Sequence, residues 1–160
     1  MLKKLYGSLL LLILLLGLAG CGGEAPPATE PEAPDGDAGG KYGEYLTVAD
    51  VEEITGLTGV TTQEEDFRLQ FYNDAGANIL DVRFKTSDFY EDEVTENLEY
   101  YTEVPDIGEK AAIAIPDAPY RITFVKGEHA VMVQTVPGEG GTPLTEEQLI
   151  AAARILAERM

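Results

Sequence analysis

The sequence predicts an α+β domain, a mostly antiparallel sheet of about five to six strands packed against two or three helices. Three observations carry this. Short runs alternate apolar and polar residues and come in pairs separated by turn residues, as hairpins with one buried face require. Three longer stretches repeat their apolar residues at helical spacing behind a Ser or Thr cap. The order is helix, hairpin, helix, strands, helix, with no strand–helix–strand alternation that would demand a parallel sheet.

The first helix lies in "LTVADVEEITGLTG". Thr47 is placed to cap it with Asp50 three residues on, Val48, Val51 and Ile54 share a face, and Gly56 supplies the stop. In "FRLQFY" Phe67, Leu69 and Phe71 alternate with Arg68, Gln70 and Tyr72; in "ILDVRFK" Leu80, Val82 and Phe84 point inward and Asp81, Arg83 and Lys85 outward. "NDAGAN" between them is turn chemistry, so the two runs form a hairpin. Ser87 is expected to cap a second helix through "DFYEDEVTENLEYY", with Tyr90, Val94, Leu98 and Tyr101 on its apolar stripe and Pro105 and Gly108 closing it. A second strand block covers Ala111 to Ile115, breaks at "PDAP", and continues as "YRITFVK" and "AVMVQTV". Gly127 stands at the first central position of the turn joining the last two, as a type II′ turn demands. Thr145 and Gln148 form a capping box for the closing helix, whose stripe is Leu149, Ala152, Ala153 and Leu156, with Arg154 and Arg159 suited to its C-terminal dipole.

Ahead of this domain the chain changes character twice. Met1 to Lys4 is short and basic, Leu9 to Leu16 is a run of eight aliphatic residues, and Gly17, Ala19 and Gly20 are small. The wider apolar stretch falls short of the roughly 20 residues that cross a bilayer, and its three-part order is that of a secretory signal peptide. Leu18-Ala19-Gly20-Cys21 resembles the lipobox of bacterial lipoproteins. The resemblance implies cleavage after Gly20, so that residues 1–20 are the signal peptide and Cys21 carries lipid. Two or three acyl chains anchor stably, at about 0.8 kcal/mol per buried CH₂, where one does not. Cys21 is the only cysteine and His129 the only histidine, so disulfide, thiol and metal chemistry lack a partner set.

Residues 21–43 combine that cysteine with "GGEAPPATEPEAPDGDAGGKYG", an acidic Pro, Gly and Ala-rich stretch that reads as a disordered tether. About 20 residues at flexible-chain scaling span some 25 Å. Residues 44–160 then form the single α+β domain. The formal charge is -18, from 29 acids against 11 bases. Nucleic acid is bound through clustered Lys and Arg, so it is not an expected partner.

Candidate chemistry is sparse. Asp88, Glu91, Asp92, Glu93, Glu96, Glu99, Glu103, Asp106 and Glu109 form an acidic cluster, but "SDFYEDEVTENLE" lacks the glycine bend of a calcium loop and reads as a solvated helix face. His129 follows the Gly127–Glu128 turn and is expected to be a half-exposed hairpin residue. "GEGGT" (Gly138 to Thr142) lacks the lysine of a phosphate loop and reads as a connector. Eight tyrosines, among them Tyr42, Tyr45, Tyr72, Tyr90, Tyr100, Tyr101 and Tyr120, belong mostly at the core edge, a Tyr-lined groove being the less favoured arrangement. No catalytic residue, metal ligand or cofactor site is assigned.

The folded part resembles small uncharacterised lipoprotein domains of Gram-positive envelopes through "LTVADVEEITGL", "VPDIGEKAAI", "FVKGEHAVMVQ" and "EEQLIAAARILAERM". The resemblance implies a compact α+β domain and brings no catalytic residue with it. The expected function is that of an envelope lipoprotein, held on the extracytoplasmic face of the cell membrane by acylated Cys21. Its non-enzymatic domain would bind an envelope protein or a small ligand. The alternative is a small hydrolase using a carboxylate pair, which requires a pocket with one acid desolvated enough to titrate high.

Overall fold

In a computed structural model of the chain, residues 41–114, 120–136 and 143–160 are described. Residues 1–40, on which the expected signal peptide, Cys21 and most of the expected tether fall, lie outside them, as do Ile115 with the "PDAP" break and the "GEGGT" connector. The elements are α1 (Val48–Thr55), β1 (Thr61–Glu65), β2 (Arg68–Tyr72), β3 (Asn78–Thr86), α2 (Asp88–Glu93), a 3₁₀ helix (Thr95–Tyr100), β4 (Tyr101–Glu103), β5 (Lys110–Ala114), β6 (Arg121–Lys126), β7 (His129–Thr135) and α3 (Glu146–Arg159). The fold is α+β, and the seven strands make one sheet in the order β1-β2-β3-β7-β6-β5-β4, antiparallel at every pairing. Two meanders, β1–β3 and β4–β7, therefore meet at the β3–β7 pair.

The strand count exceeds the expected five to six because both sheet edges are weakly written. The β1 segment "TTQEE" has no apolar residue, and β4 is three residues long. Short and charged strands are how natural sheets keep their edges from pairing with other chains.

The first face of the sheet carries the main core. Leu69, Phe71, Leu80, Val82, Phe84, Ile122, Phe124, Val131 and Val133 pack there with Val51 of α1 and with Leu149, Ala152, Ala153 and Leu156 of α3. A one-residue register slip between Phe71 and Tyr72 lets Ile79 and Leu80 both enter this core. Both predicted capping boxes form: the Thr47 and Thr145 side chains accept from the N3 backbone amides, while the side chains of Asp50 and Gln148 reach back. Gly56 closes α1 in the left-handed region at φ 71°. Gly127 has φ 58°, and Glu128 is outside the positive-φ region, as the type II′ turn requires.

The second predicted helix is corrected. Helix α2 stops at Glu93, Ser87 makes no side-chain capping bond, and a 3₁₀ helix follows with Asn97 at a non-helical φ of -127°. Acids at i and i+4, such as Asp88 and Asp92, repel each other, and no base stands in the last turn of α2 to meet its dipole. Asn97 Nδ2 takes over, donating to the carbonyls of Asp92 and Glu93 at 3.1 and 3.0 Å. Leu98, expected on the buried stripe, is 65% exposed, and Tyr101 reaches the interior from β4 instead. The acidic face expected on a single helix is thereby divided, with Asp92 in α2 and Glu96 and Glu99 in the 3₁₀ helix.

One ion pair ties the ends of the domain together. Arg159 of α3 donates Nη1 and Nη2 to the two oxygens of Asp50 at 2.6 and 2.7 Å, rather than merely facing its own helix dipole. This guanidinium holds the Asp50 carboxyl down at about 2, with the Thr47 bonds assisting and partial burial opposing. Because the folded value lies below the ordinary 3.8, the pair stabilises the fold above that pH and its contribution disappears as the pH falls toward 2. Arg159 is 40% exposed, so screening reduces the effect to about 1–2 kcal/mol. Urea denaturation of Arg159→Gln should show that deficit at pH 6 and almost none near pH 2; a deficit independent of pH would contradict the assignment.

Candidate functional site

The second face of the sheet is divided. Over β5, β6 and β7 it carries a small apolar cluster under α2, made of Tyr90, Val94, Tyr101, Ala112, Val125 and Ala130. Lys110 of β5 pins α2 by pairing with Glu91 while lying 4.5 Å from the centroid of the Tyr90 ring. Tyr101 donates its hydroxyl to Glu93 at 2.7 Å and accepts from Arg121 Nη2 at 2.6 Å. Burial, and then the bond to Glu93, push the Tyr101 hydroxyl up to about 12, so it stays protonated through the physiological range.

Toward β1, β2 and β3 the same face is polar. The strand register aligns Gln63, Gln70, Asp81, Gln134 and Arg121 in one row across β1, β2, β3, β7 and β6. The neighbouring row begins Glu65, Arg68, Arg83 and Met132. Asp81 is the centre of this region and is fully buried at 0% exposure, a correction to its expected outward, solvated position. Arg68 donates Nε to Oδ1 at 2.9 Å and Nη2 to Oδ2 at 2.6 Å. Arg83 donates Nε and Nη2 to Oδ2 at 3.3 and 3.0 Å, and Gln134 adds an Nε2 bond at 3.3 Å. Burial alone would raise this carboxyl, but the bonds and charges of the two guanidiniums outweigh it and hold Asp81 below the usual carboxylate range.

Around the end of β3 three open depressions adjoin. One of 330 Å³ is lined by Glu65, Asp66, Phe67, Arg68, Arg83 and Lys85. A second, of 410 Å³, shares Phe67 and Lys85 and continues to Phe84, Thr86 and His129. A third, of 300 Å³, shares Glu128 and His129 with it and reaches Tyr45 and Met160. Phe67 belongs to the β1–β2 turn rather than to a strand and is 65% exposed, so the inward position expected for it is corrected. Asp66 at φ 43° turns the chain there, and β2 starts only at Arg68. The Phe67 ring rests near Tyr42, centroids 6.4 Å apart, and Tyr42 stacks on Phe84 at 4.0 Å and 19°.

Tyr42 is itself buried, and its amide and that of Gly43 donate to the Glu64 carboxylate of β1. The packed structure thus takes in residues ahead of Glu44. Among the described residues the tyrosines do not line one groove: Tyr42 is buried in the main core, Tyr90 and Tyr101 share the cluster under α2, and Tyr100 is exposed. His129 is exposed at the first position of β7 and lies beside Glu128 at the rim of two depressions. Among the described residues no group of three or more His, Cys, Asp or Glu side chains could hold a metal ion, and no helix is long and apolar enough to cross a membrane. Cys21 lies outside the described residues.

The Arg68–Asp81–Arg83 cluster had no sequence motif to announce it. Its only trace in the chain is a carboxylate between two strand positions that alternation assigns to solvent, with arginines on the same face. No family model matches the chain, and neither a curated protein nor a solved structure shows significant similarity to it.

Proposed function

We propose that the chain is a lipid-anchored envelope lipoprotein whose α+β domain is a binding module, displayed on the extracytoplasmic face of the cell membrane. The anchoring half of this reading rests on Leu18-Ala19-Gly20-Cys21 behind a basic and then aliphatic leader. The binding half rests on one observation, the polar half of the second sheet face. There a buried carboxylate orders two arginines beside an exposed phenylalanine. Ordered guanidiniums next to an apolar ring are suited to recognition, because their donors are held in place before a partner arrives. Membrane lipid is the first partner through Cys21; the second is an envelope protein or a small ligand.

A carboxylate-pair hydrolase needs an acid held protonated in a pocket, and the buried Asp81 is held the other way by its two arginines. No observation favours that alternative. Anchoring is tested by growing cells on radiolabelled palmitate: Cys21→Ser should abolish incorporation, and unchanged labelling would refute it. Binding is tested by photo-crosslinking from position 67 in intact envelopes together with a ligand thermal-shift screen. Blank results from both would refute a binding role.

A further inference from the structure

We propose that the depression lined by Arg68, Arg83, Lys85 and Phe67 is a carboxylate-binding site for a ligand that carries its acid group on an apolar body. This rests on the reading of the domain as a binding module, not on its anchoring.

Arg68 and Arg83 are direct cross-strand partners, a placement where like charges repel. Asp81 beneath them offers one negative charge for two guanidiniums. Each arginine gives Asp81 its Nε and Nη2 edge. By the fixed geometry of the fork, each keeps a second two-donor edge, built from Nη1 and the outer Nη2 hydrogen. Among the described residues Nη1 of neither arginine makes a hydrogen bond, and the side chains are 38% and 37% exposed. Lys85 follows Arg83 by two residues, so it projects from the same face; it is exposed and makes no ion pair among the described residues.

The acids in the depression decide which anion fits. Glu65 and Asp66 line it together with the three bases, and Asp81 lies beneath, so the local charge is close to balanced. No strong field draws a polyanion here, and a phosphate dianion would meet Glu65 and Asp66. A planar monoanion engaging an arginine fork with two parallel bonds gains from geometry instead of net charge. Phe67 supplies the apolar contact, and the adjoining depression with Phe84 has room for the ligand's body.

The detergent-solubilised full chain, isotopically labelled at nitrogen, should be titrated with N-acetylphenylalanine, with its amide, and with inorganic phosphate, following the Nε–H signals of Arg68 and Arg83. The acid should shift both signals and bind about tenfold more tightly than the amide or phosphate. Arg83→Gln should weaken the acid about tenfold and leave the amide unchanged. Lys85→Gln, which removes no ion pair seen in the fold, should weaken it about threefold even if Arg83→Gln fails to fold. Equal binding of acid and amide, equal or better binding of phosphate, or full acid affinity in a folded Lys85→Gln would each overturn the proposal. Palmitate labelling does not involve this site, and crosslinking from position 67 captures a partner of any chemistry there, so loss of the preference for acid over amide with crosslinking retained would remove the carboxylate assignment and leave the binding-module reading standing.

Discussion

Replacing Asp81 with alanine is expected to destabilise the domain by about 2–4 kcal/mol, read as a lower urea midpoint with little change in slope. Three polar partners lose their acceptor at once: the forks of Arg68 and Arg83 and the amide of Gln134. The two guanidiniums are then opposite one another in register with nothing between them. Breaking a fully buried pair costs about 3–5 kcal/mol, and the partial exposure of both arginines, which can turn toward water, brings the figure down.

The same cluster makes a pH prediction of definite sign. Asp81 titrates below its ordinary value in the fold, so its contribution is present above that value and fades as the pH falls. The gap between wild type and Asp81→Ala should therefore narrow on acidification. A triple variant, Asp81→Leu with Arg68→Met and Arg83→Met, separates the pairing from the burial. Replacing a whole buried ion cluster by apolar groups is often neutral. It should recover most of the loss while abolishing any acid binding at this face. A single Asp81→Ala cost below about 1 kcal/mol would mean that the arginines are not organised by the carboxylate.

What could be read from the chain beforehand, and what could not, follows from the range of the interactions. Capping at Thr47 and Thr145 is settled within three residues, and the inward alternation of Leu80, Val82 and Phe84 within five, so both were legible. The β1 edge was not, because "TTQEE" has no apolar residue; it is a strand because Leu69 and Phe71 in β2 need a neighbour for their backbone. Helix α2 looked longer than it is because apolar spacing continues past Glu93 while the acids and the Asn97 cap end it locally. Arg68 and Asp81 are 13 residues apart, and Gln134 is 53 from Asp81. Only the β2–β3–β7 register brings them together. A single sequence contains that register only implicitly, and the Arg68–Asp81–Arg83–Gln134 cluster is built entirely from it.

Gly108→Ala tests a different kind of constraint and should cost about 3 kcal/mol or more. The segment "VPDIGEKAAI" reads as a turn into a strand, and Gly108 sits there at φ 58°, a conformation that any side chain strains. Strain is the smaller part of the effect. A methyl group on Gly108 would run into the Val125 carbonyl oxygen of β6 and lie 3.2 Å from a ring carbon of Phe124. That carbonyl accepts the Glu109 amide at 2.8 Å, the bond that brings the loop onto the sheet just before β5 begins. Neither neighbour can yield, since Phe124 is fully buried and the oxygen belongs to a paired strand.

Gly127 is the control. It has the same φ of 58°, but no atom stands within 4 Å of where its Cβ would be. Gly127→Ala therefore isolates the conformational penalty, about 1 kcal/mol, and the excess cost of Gly108→Ala measures the close approach of loop to strand. Thermal or urea unfolding of the two variants side by side gives the difference directly. Equal costs would show that Gly108 is required for its backbone angle alone. A large excess would show that the contact between this loop and β6 is what admits only glycine there.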